Sequence, residues 1–151
     1  MEQHGRGLYF EELKVGDRFS TGGRTMMEAD LVNFCNSIGM TGEVFLNVEF
    51  QKTRSALPGR PVPGLMALGF CEALAAQGPT RGNGMALLNL NIDFQGPVFI
   101  GDTVHCEIEI LEMRESKGRK DAGLVNFLQK VVKQDGKTAV SYKALRLIRR
   151  R

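Results

Sequence analysis

Between Pro63 and Pro79 the chain runs through a segment with almost no polar side. Leu65, Met66, Leu68, Phe70, Cys71, Leu74 and Ala75 fall on every face of the helix that this spacing predicts, and Glu72 is its one charge. A helix that is apolar all round has to be buried. Pro63 suits its first turn, and Gly78-Pro79 ends it. The rest of the chain must therefore wrap around it. Leu87 to Phe94, Thr103 to Leu111, Leu124 to Lys133 and Ala139 to Ile148 read as strands. Turn signals at Gly96-Pro97, Gly101-Asp102, Ser116 to Gly123 and Gln134-Asp135-Gly136 separate them. Alternation is clearest in the second strand, where Val104, Cys106, Ile108 and Ile110 face one way and His105, Glu107 and Glu109 the other. One buried helix followed by antiparallel strands predicts an α+β domain with its sheet wrapped around the helix. The 151 residues make a single domain, 1–151, large enough to hold its core without disulfide or metal staples.

The residues before the helix prepare this arrangement. Val15-Gly16-Asp17 is a turn, and Arg18 to Thr25 is a strand interrupted at Gly22-Gly23. Glu28 and Asp30 open a helix with Leu31, Phe34, Cys35 and Ile38 on its apolar face, and Gly39 suits its C-terminal cap. Met40 to Leu46 reads as non-helical, and Asn47 caps a short helix from Val48 to about Arg54. Ser55 to Pro63 holds three prolines and one glycine and is a rigid loop.

Several function classes fall away. Arg146, Arg149, Arg150 and Arg151 account for the net charge of +3 and read as a solvated end, not a nucleic-acid surface. No apolar stretch approaches the ~20 residues of a membrane span. Met1 to Gly7 is polar, with none of the apolar core of a secretory signal, so the expected location is the cytoplasm. Cys35, Cys71 and Cys106, odd in number and each in an apolar context, read as reduced core residues. Two histidines and no CxxC give no basis for a metal site.

Four motifs, in order, resemble the MaoC-like hydratases, a family with a hot-dog fold. They are Tyr9-Phe10-Glu11-Glu12-Leu13-Lys14-Val15-Gly16-Asp17-Arg18-Phe19; Arg24-Thr25 with Glu28-Ala29-Asp30; Gly59-Arg60-Pro61-Val62-Pro63-Gly64-Leu65; and Gly101-Asp102-Thr103-Val104. The resemblance implies a sheet wrapped around the helix from Gly64 to Gln77 and edge-to-edge pairing into a homodimer. It further implies hydration of trans-2-enoyl-CoA to (R)-3-hydroxyacyl-CoA or the reverse dehydration, with no cofactor beyond the coenzyme A that the substrate carries.

Catalytic members of that family carry Gly-Asp-x-Asn-Pro-x-His-x-Asp, whose Asp and His form the acid/base pair. Here the segment aligns as Gly39-Met40-Thr41-Gly42-Glu43-Val44-Phe45-Leu46-Asn47, with Met40 at the Asp position and Phe45 at the His position. Neither moves a proton, and general acid–base catalysis typically supplies ~10²–10⁴-fold. Glu43, in the same segment, is the expected acid/base if burial beside Phe45 and Met40 fits it for the role; a solvent-facing loop carboxylate is the plain alternative. Thr41 and Asn36 are suited to orient a water, and Asn47 to cap the next helix. Tyr9 and His105 read as packing and surface residues, and His4 as part of a frayed end.

The substrate set is expected to include Met40, Thr41, Phe45, Asn47, Arg60, Gly64 and Leu65. The Gly64 N–H, at the start of the buried helix, is the expected donor to a thioester carbonyl. Lys52, Arg54 and Arg60 are placed to meet coenzyme A phosphates. Two other readings stand beside the hydratase. One is a non-catalytic acyl-CoA binder, or the inactive subunit of a heteromer whose partner supplies Asp and His. The other is a thioesterase using Glu72, which could instead be the ion-pair partner of Arg81 or Arg60.

Overall fold

The computed structural model describes residues 6–151, so His4 lies outside the described residues. A short 3-10 turn at Phe10–Glu12 precedes two brief strands, β1 (Arg18–Ser20) and β2 (Arg24–Thr25). Three helices follow, α1 (Glu28–Ile38), α2 (Glu43–Leu46) and α3 (Val48–Arg54), and then the central helix α4 (Gly64–Ala76). Four long strands complete the chain: β3 (Gly84–Phe94), β4 (Thr103–Glu115), β5 (Ala122–Lys133) and β6 (Thr138–Arg149). They form one antiparallel sheet in the order β1-β4-β5-β6-β3, with β2 also paired to β4.

The sheet wraps around α4, which lies against β4, β5 and β6. Met66, Ala67 and Cys71 of the helix meet Cys106, Ile108, Ile110, Phe127, Val131 and Tyr142 of the sheet, all buried. Each large apolar side chain hidden there contributes roughly 1.5–3 kcal/mol. The alternation expected of β4 is realised: Val104, Cys106, Ile108 and Ile110 point into the core. The three cysteines are buried and free. No helix among the described residues is long and apolar enough to cross a membrane.

Three details depart from the sequence reading. First, α4 is not covered on every side: Leu65, Gly69, Ala73 and Ala76 lie exposed along one stripe. The sheet reaches the helix from one side only, and three of those four residues are so small that exposure costs little. Second, Met40 to Leu46 is not wholly irregular. Glu43–Leu46 closes one helical turn behind Gly42, and the Asn47 N–H donates to Glu43 O at 2.8 Å. Third, the C-terminal arginines are not a free tail. Arg150 pairs with Glu11 (2.9 Å) and Glu115 (3.2 Å), Arg151 pairs with Glu12 (2.5 Å), and Arg146 turns inward to Glu72.

Candidate active site

The start of α4 is the best-formed part of the site. Met66 and Ala67 N–H both bond back to Pro63 O, at 2.9 and 3.2 Å. The Gly64 and Leu65 N–H groups precede them and are the open donors of the first turn, at the positive end of the helix dipole. A cavity of about 390 Å³ adjoins them, walled by Val62, Gly64, Leu65, Phe94, Val98 and Val140 among others. Gly64 cannot carry a side chain without disturbance: a Cβ there would come within 2.7 Å of the Phe94 ring. Nothing in the linear order points to Phe94, because the end of one strand reaches the start of a helix thirty residues earlier only through the fold.

The segment from Met40 to Asn47 sits on the connection between α1 and α3. Gly39, at φ 74°, turns the chain out of α1, and the Met40 N–H donates to Cys35 O at 2.9 Å. Met40 is half-buried, and Phe45 packs against the core. Thr41 and Glu43 are exposed, as is Asn36. The burial expected for Glu43 is therefore absent in the single chain: α2 turns its first residue outward and its apolar residues inward. Asn47 does cap α3, accepting from the Phe50 N–H at 3.1 Å, and its Nδ2 donates to Glu43 Oε1 at 3.2 Å. Of the residues expected to bind substrate, only Gly64 and Leu65 line the cavity; Met40, Thr41, Phe45, Asn47 and Arg60 do not.

Arg60 has a structural task in place of the expected phosphate contact. Its Nε donates to Phe45 O at 3.2 Å and its Nη1 to Glu28 at 2.5 Å, which ties α2 to the start of α1. Beneath it, burial pushes the Cys35 thiol pKa up, with the Arg60 charge opposing. Tyr9 packs at the surface, with the Arg6 guanidinium 4.6 Å from its ring. His105 is half-buried on β4, with Nε2 3.3 Å from Glu107.

Glu72 is the centre of a polar cluster inside the wrapped sheet. Its Oε1 accepts from Tyr142 OH at 2.7 Å, from Gln129 Nε2 at 3.1 Å and from Arg146 Nη2. Gln129 Nε2 also donates to Tyr142 OH at 2.7 Å, and its Oε1 accepts from Arg146 Nη2 at 3.0 Å. The ion-pair partner is thus Arg146, not Arg81 or Arg60. Burial, with Cys71 and Glu72 alongside, keeps the Tyr142 phenol protonated far above its usual range. Three donors, one a guanidinium, already occupy the Glu72 Oε1 that would have to meet a water or a thioester, which weighs against a thioesterase role for Glu72. Tyr142, Ala144, Arg146 and Ile148 alternate along β6, and this inward register takes in the arginine that the charge pattern assigns to a solvated end.

Comparison with known proteins agrees with the fold. A family model described as FAS1-like, dehydratase domain region, matches residues 10–141. An (R)-specific enoyl-CoA hydratase of Rhodospirillum rubrum is 30% identical over 104 residues, 68% of this chain and 69% of that protein. A 3-hydroxybutyryl-CoA dehydratase of Methylorubrum extorquens is 29% identical over 116 residues, 76% of this chain and 71% of that one. The crystal structure of the MaoC-like dehydratase from Rhodospirillum rubrum superposes with a TM-score of 0.83 at 23% identity, covering 96% of this chain and 99% of that one. The wrapped sheet, the open helix start above an apolar cavity and the match over residues 10–141 lead to one conclusion: the chain belongs to the MaoC-like hydratase and dehydratase family of hydro-lyases, with the hot-dog fold.

Proposed function

We propose that this protein adds water to enoyl-CoA thioesters, or removes it from 3-hydroxyacyl-CoA, with the thioester carbonyl at the start of α4. The observation that carries this reading is the pair of open N–H groups at Gly64 and Leu65 beside an apolar cavity of about 390 Å³. Hydration places negative charge on the thioester oxygen as the enolate forms. Fixed donors and a helix dipole aimed there lower the barrier without reorganising. Glu43 is the proposed acid/base, because it is the only ionisable side chain between Met40 and Asn47. Asn47 holds one of its oxygens and leaves the other for proton transfer. The substrate brings its own coenzyme A.

The assembly proposed with this function is a homodimer closed across β3. That strand is the sheet edge and exposes Leu87, Leu88 and Phe94. An apolar edge is a template for pairing, and a two-fold pair covers it on both copies at once.

A second reading follows from a specific observation: Met40 and Phe45 hold apolar side chains at the two positions where the family's pair stands, and Glu43 is exposed. In that reading the chain binds acyl-CoA without turning it over, alone or as the inactive subunit beside an intact hydratase. Crotonyl-CoA and purified protein separate the two, followed by the ultraviolet loss of the conjugated thioester. Hydration that disappears in Glu43→Gln supports the first reading. Hydration unchanged in that variant removes Glu43 from the mechanism, and binding without hydration selects the second reading.

A further inference from the structure

A second cavity, of about 290 Å³, opens at the far end of α4. Ala75 and Ala76 of the helix, the turn through Gly82 and the beginning of β3 wall it, and Gln129 and Arg146 supply its polar side. Two independent features distinguish it from a packing fault. The register of β3 against β6 shifts twice, between Gly84 and Ala86 and between Leu87 and Asn89, on either side of the Leu87–Arg146 pair. Such irregularities re-aim side chains and are over-represented beside sites. Arg146 is also only partly used. Its Nη2 donates to Glu72 and Gln129, whereas its Nε and Nη1 donate to no protein group among the described residues. A guanidinium offers five N–H donors, and those left over at a part-buried position favour an incoming acceptor.

The charge balance narrows what that acceptor is. Glu72 already neutralises Arg146, so a second carboxylate would leave net negative charge in a half-buried cluster, which is costly. A neutral oxygen carries no such penalty. Resting on the thioester reading above, we infer that this cavity receives the far end of the substrate's acyl group, and that this end carries a neutral oxygen, as a hydroxyl, accepting a hydrogen bond from Arg146. The two cavities lie at opposite ends of β3: Phe94 lines one, Gly84 and Leu87 the other. When β3 pairs antiparallel with its copy across a two-fold axis, the Phe94 end of one strand lies beside the Gly84 end of the other. A thioester held at Gly64 of one subunit then directs its acyl group toward the second cavity of the partner subunit.

The test is a binding series by calorimetry with the full chain, using hexanoyl-, octanoyl- and decanoyl-CoA and their terminally hydroxylated counterparts. At one of these lengths the hydroxylated thioester is expected to bind about tenfold more tightly, the worth of one hydrogen bond to a charged donor. That preference is expected to vanish in Ala86→Phe, which fills the cavity from an exposed position. It is also expected to vanish in the double variant Glu72→Leu/Arg146→Met, which removes both charges together so that neither is left unpaired. No preference at any length, or a preference that survives both variants, overturns the inference and leaves the thioester reading intact. Failure of every one of the six thioesters to bind overturns the thioester reading itself, and this inference with it.

Discussion

At the scale of single residues, the proposed chemistry turns on what three positions exclude. Gly64 keeps the helix start open because its missing side chain would collide with the Phe94 ring. The ring is exposed and able to swing aside, so Gly64→Ala is expected to fold with little loss of stability. Acyl-CoA affinity is nevertheless expected to fall by about tenfold or more as the new methyl displaces Phe94 into the cavity and shields the N–H groups; calorimetry with hexanoyl-CoA measures it. The other exclusion is at Met40 and Phe45, the apolar residues that the resemblance places at the family's proton-transfer positions. Restoring that pair as Met40→Asp/Phe45→His is expected to raise hydration of crotonyl-CoA by ~10²-fold or more, within the range of general acid–base catalysis. A double variant that binds the thioester yet gains nothing would show that the surrounding geometry no longer supports the family's mechanism.

At the scale of elements, Asn47 is the hinge between the loop and the scaffold. Its side chain closes the first turn of α3 and touches Glu43. Asn47→Ala is expected to cost about 1 kcal/mol in urea unfolding, whereas Asn47→Asp should keep most of the cap. The elements themselves were largely legible. Asn47, Gly39 and Pro63 marked helix ends by their own local chemistry, and β4 announced its faces by alternation. What was not legible depends on distance through space. Glu43 faces outward because α2 closes a turn, and a turn of four residues leaves almost no periodic signal. Arg60 reads as a phosphate contact or a partner of Glu72 because nothing in the linear order shows that Glu28 and the Phe45 carbonyl sit beside it. Likewise, the stripe of α4 from Leu65 to Ala76 reads as buried because its composition is apolar, although the sheet covers only one side.

At the scale of the whole molecule, the open edge at β3 bears on the proposed dimer and the turn between β3 and β4 on acid stability. Leu88→Lys places a charge on the exposed edge and is expected to convert the proposed dimer to a monomer in sedimentation analysis without unfolding the chain. At the turn, burial alone would raise the Asp102 carboxyl pKa. Gln134 Nε2 at 2.8 Å, the Phe99 N–H at 2.8 Å and Lys133 Nζ at 2.9 Å outweigh it and hold the carboxyl below its ordinary range. A carboxylate depressed on folding adds stability that is complete above its unfolded pKa of about 4 and is lost as the pH falls through the folded value. Asp102→Asn is therefore expected to be less stable than the parent by about 1–3 kcal/mol at neutral pH, the difference shrinking below about pH 4. Urea unfolding across that range reads it directly.

The cluster around Glu72 has a consequence for how this protein can change over generations. Glu72, Gln129, Tyr142 and Arg146 satisfy one another, and replacing Glu72 or Arg146 alone leaves the other's charge unpaired in a half-buried place. Replacing all of them with apolar residues strands nothing. For lineages descending from such a sequence the costly single steps are those at Glu72 and Arg146, and these two positions are expected to be exchanged together.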